Sequence, residues 1–224
     1  MAKFWIKTII ISIGLAFFFG VLIFLDRGFD IYFFNRLFAS MAFIMVGISL
    51  VSASLVFFTN KFHILLSYRM YFGLMGFFFA ILHASSSLAF YFLFNSDKIF
   101  YEFDKMWPII GGLSISNTFA YTLGETALIM FLFMAIITMK RFVVKLGGVL
   151  WRELLRVVGY IAFSFVLLHF FIKDFHIWTN IDEWASKSNF IPTNLILFLF
   201  GIVIIILRVA LQRELNKKKK VQTT

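Results

Sequence analysis

The sequence predicts an all-α polytopic membrane protein, a bundle of six transmembrane helices with its N- and C-termini both on the cytoplasmic side. Three observations carry this reading. The chain is 62% hydrophobic and 14% charged, with a mean hydropathy of +0.94, so a soluble domain of its size would lack the polar groups to cover its surface. Six apolar stretches, at 8–25, 37–59, 70–94, 118–139, 157–172 and 189–207, approach the roughly 20 residues that cross about 30 Å of hydrocarbon at 1.5 Å per residue. The basic residues, finally, are divided unequally between the two sides that these stretches define.

The first stretch follows Lys3 and Lys7, as the core of a secretory signal would. The residues before Asp26 read Gly-Val-Leu-Ile-Phe-Leu and offer no small-x-small cleavage site, so this stretch is expected to be a retained anchor. The first and third stretches carry no charge, the fourth contains the single intramembrane acid, Glu125, and the fifth reaches full length only with Leu154 and Leu155. Neither an internal repeat nor a Gly-rich phosphate loop interrupts this pattern. The whole of 1–224 therefore reads as one transmembrane domain with a basic cytoplasmic tail at 212–224.

Basic residues resist translocation and mark cytoplasmic loops. Lys3, Lys7, Lys61, Arg69, Lys140, Arg141, Lys145, Arg152, Arg156, Arg208, Arg213 and Lys217 to Lys220 are fifteen of the 21 lysines and arginines, and all lie on one side. The other side has Arg27, Arg36, Lys98, Lys105, Lys173 and Lys187, together with eight of the eleven acids. The first side is thus the cytoplasmic one, and the expected location is the cell inner (plasma) membrane. A net charge of +10 held in short loops and a tail at a membrane surface predicts anionic lipid as partner, and no nucleic acid.

With no cysteine, disulfides, iron–sulfur clusters and thiolate metal sites are excluded, so any redox chemistry must use an imported cofactor or histidine ligands. His83 lies 14 residues from Arg69, and His169 lies 13 from Arg156, on two stretches that both run outward. At 1.5 Å per residue both imidazoles sit about 20 Å from the basic side, at one depth in the outer half. Polar side chains in hydrocarbon face the bundle interior and need a partner, so the pair is either hydrogen-bonded structure or a ligand set. Two neutral imidazoles at matched height on non-adjacent helices suit the two sides of a flat metallocofactor, haem being the economical candidate for these iron ligands. Small residues flank both at helical spacing: Gly73, Gly76, Ala80, Ser86 and Ser87 around His83, and Gly159, Ala162 and Val166 before His169. Such residues also allow close helix packing with no cofactor.

Glu125 is expected either to accept a hydrogen bond from an axial histidine or relay a proton, or to reach interfacial water or pair with a lysine of the outer loops. His176 reads as an interfacial residue near the same face as His169, and His63 as a solvated turn residue. Trp107, Trp178 and Trp184 read as interfacial anchors.

The segment from Arg69 through Leu82-His83, then Gly124-Glu-Thr-Ala, Lys145-Leu-Gly and Trp151-Arg-Glu-Leu-Leu-Arg156 to Leu168-His169, resembles the ferric reductase-like transmembrane domain family. That family includes ferric reductases, NADPH oxidases and the haem-binding membrane subunit of the bacterial methionine sulfoxide reductase system. The resemblance covers about 69–171. Family members with two haems carry a second, inner histidine on each of the two helices. Here Leu154-Leu155-Arg156 and Arg69-Met70 stand in those places. The resemblance therefore implies one haem b, with its iron on His83 and His169, in a cytochrome b-like oxidoreductase component that passes electrons to an outer-face acceptor or redox partner. A separate cytosolic reductase or a quinol would be the donor. A flavin or quinone is expected in the vacated inner region near Gly73, Gly76, Gly159 and Arg156; otherwise electrons are exchanged on the outer side only. The competing class is a haem-free membrane scaffold or transporter subunit, with the two histidines structural or proton-handling.

Overall fold

The computed structural model describes residues 2–94, 106–108, 114–179 and 192–223. Its elements are α1 (Ala2–Arg27), α2 (Phe33–Thr59), α3 (Ile64–Phe94), β1 (Met106–Pro108), β2 (Ser114–Ser116), α4 (Asn117–Ile137), α5 (Lys140–Leu146), α6 (Gly148–Thr179) and α7 (Thr193–Thr223). Six of the described helices, all but α5, are long and apolar enough to cross a membrane. The protein is a multi-pass, all-α membrane protein. Its outward surface agrees: Ile13 is 65% and Phe17 76% exposed, a liability in water and an ordinary surface in lipid.

Helix α2 is the hub, packed along α3 and also against α1, α6 and α7, while α4 pairs with α6. Lipid tails are as apolar as leucine, so helix association rests on close contact more than on escape from water. The sequence supplies that contact with glycine. A Cβ at Gly76 of α3 would lie 2.6 Å from Val46 Cγ2 and 2.9 Å from the Val46 backbone nitrogen on α2. One at Gly47 would lie 2.8 Å from Ile204 and 2.9 Å from Phe200 on α7. Between these contacts sits a core containing Met41, Met45, Ala162, Phe163, Leu197 and Ile204.

Two helices extend beyond their apolar stretches. α7 runs on to Thr223, so the basic tail expected after 212 is helical where it is described. Arg208 donates to Gln212 at 3.1 Å, Gln212 to Asn216 at 3.1 Å, and Lys217 to Glu214 at 2.6 Å, pairings at helical spacing that continue the helix past the hydrocarbon. α6 begins at Gly148, which places Arg152 and Arg156 within a helix, and the loop before it folds into the short α5. Gly147, at φ 74°, makes the break between them. The α3–α4 connection adds a small antiparallel pairing to the helical plan, with Trp107 opposite Ile115.

Of the three expected tryptophan anchors, Trp178 packs against Phe198, with ring centroids 4.9 Å apart and planes tilted by 40°, and joins α6 to α7. Trp184 and the Trp107 side chain lie outside the described residues.

Replacing Gly76 with leucine is expected to force α2 and α3 apart at a cost of about 1–3 kcal/mol. Thermal unfolding of the detergent-purified protein should show a lowered Tm for Gly76→Leu and an unchanged one for Gly14→Leu, where nothing lies within 4 Å.

Candidate functional site: paired intramembrane histidines

α3 and α6 present His83 and His169 to the interior. The two helices make no extensive contact with one another, because α2 and α4 flank them on either side. His83 Nδ1 lies 3.2 Å from the carbonyl oxygen of Asn35 on α2, and His169 Nδ1 lies 2.7 Å from that of Ala120 on α4. A carbonyl oxygen only accepts, so Nδ1 carries the proton in both rings and Nε2 keeps its lone pair. Neither Nε2 has a hydrogen-bond partner among the described residues.

Local sequence makes these contacts possible. The Ala120 carbonyl is reached over Gly124, where a Cβ would stand 3.1 Å from His169 Nδ1 and 3.3 Å from Cε1. Asn35 is held in place by its own side chain, which donates to Ser87 Oγ at 2.7 Å, one turn beyond His83. Ser86 donates to the His83 carbonyl at 2.9 Å. The two rings are therefore oriented by the helices beside them, and they lie within electrostatic reach of one another.

No group of three or more histidines, aspartates or glutamates able to hold a metal ion occurs among the described residues. Two imidazoles underfill a bare ion. Their donor chemistry is that which a planar macrocycle would need, since its own nitrogens would supply the other four positions. Donation of the second ring nitrogen to a backbone carbonyl is also the usual support of a metal-bound histidine, fixing its tautomer and orientation. In donor type and tautomer, two neutral Nδ1–H imidazoles suit a bis-imidazole haem.

Two neighbours were noted in the sequence only as charges on the outer side. Lys173, one turn past His169, donates from Nζ to Asn117 Oδ1 at 3.0 Å and to the Tyr121 hydroxyl at 3.2 Å, and tethers α6 to α4. Asp174 accepts from Asn194 at 2.9 Å and tethers α6 to α7. The four-residue step from His169 to Lys173 was the available signal for the first; the partners themselves lie on distant segments.

Glu125 is exposed on α4. The His169 proton goes to the Ala120 carbonyl, so the structure does not pair Glu125 with His169. His63 is exposed in the α2–α3 turn, and the His176 side chain lies outside the described residues.

Of the residues expected to border an inner cofactor, Gly73 lines a cavity of about 310 Å³ between α2, α3, α4 and α6. Gly76 is taken up by α2 packing, and Gly159 by Leu50 and Met134, 3.2 and 3.4 Å from its Cβ position. Arg156 pairs with Glu153 at 2.7 Å and does not line the cavity.

No family model matches this chain, and no curated protein matches it. The fold and the site define a polytopic α-helical membrane protein with two oriented intramembrane imidazoles.

Nitrogen-15 NMR of histidine-labelled protein without cofactor should show His83 and His169 as neutral Nδ1–H tautomers. Gly124→Val should displace the His169 ring and alter its Nδ1 resonance while leaving that of His83 in place.

Proposed function

We propose that this protein is a haem b-containing electron-transfer protein of the plasma membrane, with one haem held between His83 and His169 in the outer half of the bundle. The observation that carries the reading is the matched pair of Nδ1 contacts to the Asn35 and Ala120 carbonyls, which leave both Nε2 atoms as free donors of a lone pair. A haem bound there supplies reversible one-electron chemistry.

The chain's own work is to hold and orient. Asn35 and Ala120 fix the ring planes, and Gly124 admits the His169 ring. Held by both imidazoles, such a group would pass electrons rather than bind oxygen or substrate. Lys173, tied to Asn117 and Tyr121, places a positive charge one turn toward the outer face, where it favours an anionic group. With no nucleotide-binding loop in the sequence, electrons come from a separate cytosolic reductase or a quinol, and they leave to a redox partner at the outer face.

The test is a reduced-minus-oxidised visible spectrum with pyridine haemochrome quantitation. Wild type should carry one haem b per chain, and His83→Ala and His169→Ala should each lose it while still purifying as intact membrane protein. A wild type that is colourless after expression with added haem would replace this reading with the scaffold or transporter class. Two haems per chain would contradict the single-site assignment.

A further inference from the structure

The cavity of about 310 Å³ at the basic end of the bundle has a lining that selects among ligands. It is large enough for a small-molecule site, since such sites begin at about 300 Å³. Gly73, Leu74, Phe77, Phe131 and Met134 give it an apolar body. Its neutral side-chain donors are already spent within the protein: Ser49 donates to the Arg69 carbonyl at 2.8 Å, Thr138 to Ala135 at 2.6 Å and Trp151 Nε1 to Ile137 at 3.0 Å.

The remaining side-chain donors in the lining are the guanidinium groups of Arg69 and Arg152. Neither has an ion pair or side-chain hydrogen bond among the described residues. Arg156 and Arg208 lie within electrostatic reach of Arg69, while Glu153 is already paired with Arg156. Positive charge is therefore in excess at this end of the cavity. Leu66 and Met70, which border the cavity, are 43% and 40% exposed, so its side opens toward lipid.

A flavin or quinone ring would present neutral carbonyls where no neutral donor is left to meet them. An anionic head on an apolar body matches every free group. We propose that the cavity binds one acidic phospholipid from the leaflet on the basic side, its phosphate held by Arg69 and Arg152 and one acyl chain lying against Gly73, Leu74 and Phe77. Guanidinium groups suit this task because they bind phosphate oxygens in a bidentate fashion.

The site is independent of haem, and so is its test. Detergent-purified protein is mixed with equal amounts of phosphatidylglycerol and phosphatidylcholine, and the retained lipid is read by native mass spectrometry. Two arginines at the headgroup should favour phosphatidylglycerol by about thirtyfold. Arg69→Gln with Arg152→Gln should abolish the preference, and Arg152→Gln alone, at an exposed position, should lose part of it with an unchanged Tm. Equal retention of the two lipids, a preference that survives the double substitution, or a flavin or quinone recovered in place of lipid would each overturn the proposal.

Discussion

Hydrocarbon offers no hydrogen-bond partner, so every polar group carried into it must be satisfied by the protein. Among the described residues the spans meet most of this demand in two ways, although Ser54 Oγ, Arg36 Nη1 and Trp178 Nε1 are buried without a hydrogen-bond partner. Where a side chain is only tolerated, it bonds back to its own helix, as Ser12 does to Thr8 at 2.8 Å and Ser164 to Tyr160 at 2.9 Å. Where helices must be held in register, the bond crosses between them. Tyr160 donates to the Leu50 carbonyl at 2.9 Å and ties α6 to α2, and Ser49 ties α2 to α3 through the Arg69 carbonyl at 2.8 Å. The histidines belong to this second group. Their Nδ1 contacts join α3 to α2 and α6 to α4, and the same contacts leave one nitrogen of each ring unspent.

A ligand histidine uses one nitrogen to hold itself still. Here the bonds run to backbone carbonyls, which cannot rotate away or change charge, so the orientation is set by the helices rather than by another mobile side chain. Small residues support this arrangement by two distinct means. Gly124 gives the His169 ring its approach to a carbonyl, whereas Gly76 and Gly47 bring α2 against its neighbours.

Much of the fold was legible in the sequence. Uninterrupted hydrophobicity marks a span whatever its neighbours are, and the six predicted stretches fall within α1, α2, α3, α4, α6 and α7 apart from a few terminal residues. Less was legible where rotation about a helix decides the outcome. These helices are apolar on nearly every side, so periodicity says little about which face turns inward. Of the two kinds of role open to Glu125, its exposed face agrees with the interfacial one, and Gly76 and Gly159 looked like room for a cofactor and instead receive neighbouring side chains. His83 and His169 could be picked out because a polar residue is rare at that depth; their carbonyl partners, 48 and 49 residues away, left no local trace. The helical tail of α7 was missed because a run of lysines reads first as charge and only second as good helix formers.

The two ends of the bundle differ in chemistry. The outer half holds the oriented imidazoles and a tethered lysine, and the basic end holds arginines beside an apolar cavity with no second histidine pair. The most direct test of the paired-histidine site is low-temperature electron paramagnetic resonance of the oxidised, purified protein. A single low-spin ferric signal of bis-imidazole type, accounting for one iron per chain and absent from both His83→Ala and His169→Ala, is the expected result. A high-spin ferric signal in wild type, or a low-spin one that survives either substitution, would show that these two nitrogens are not the ligands.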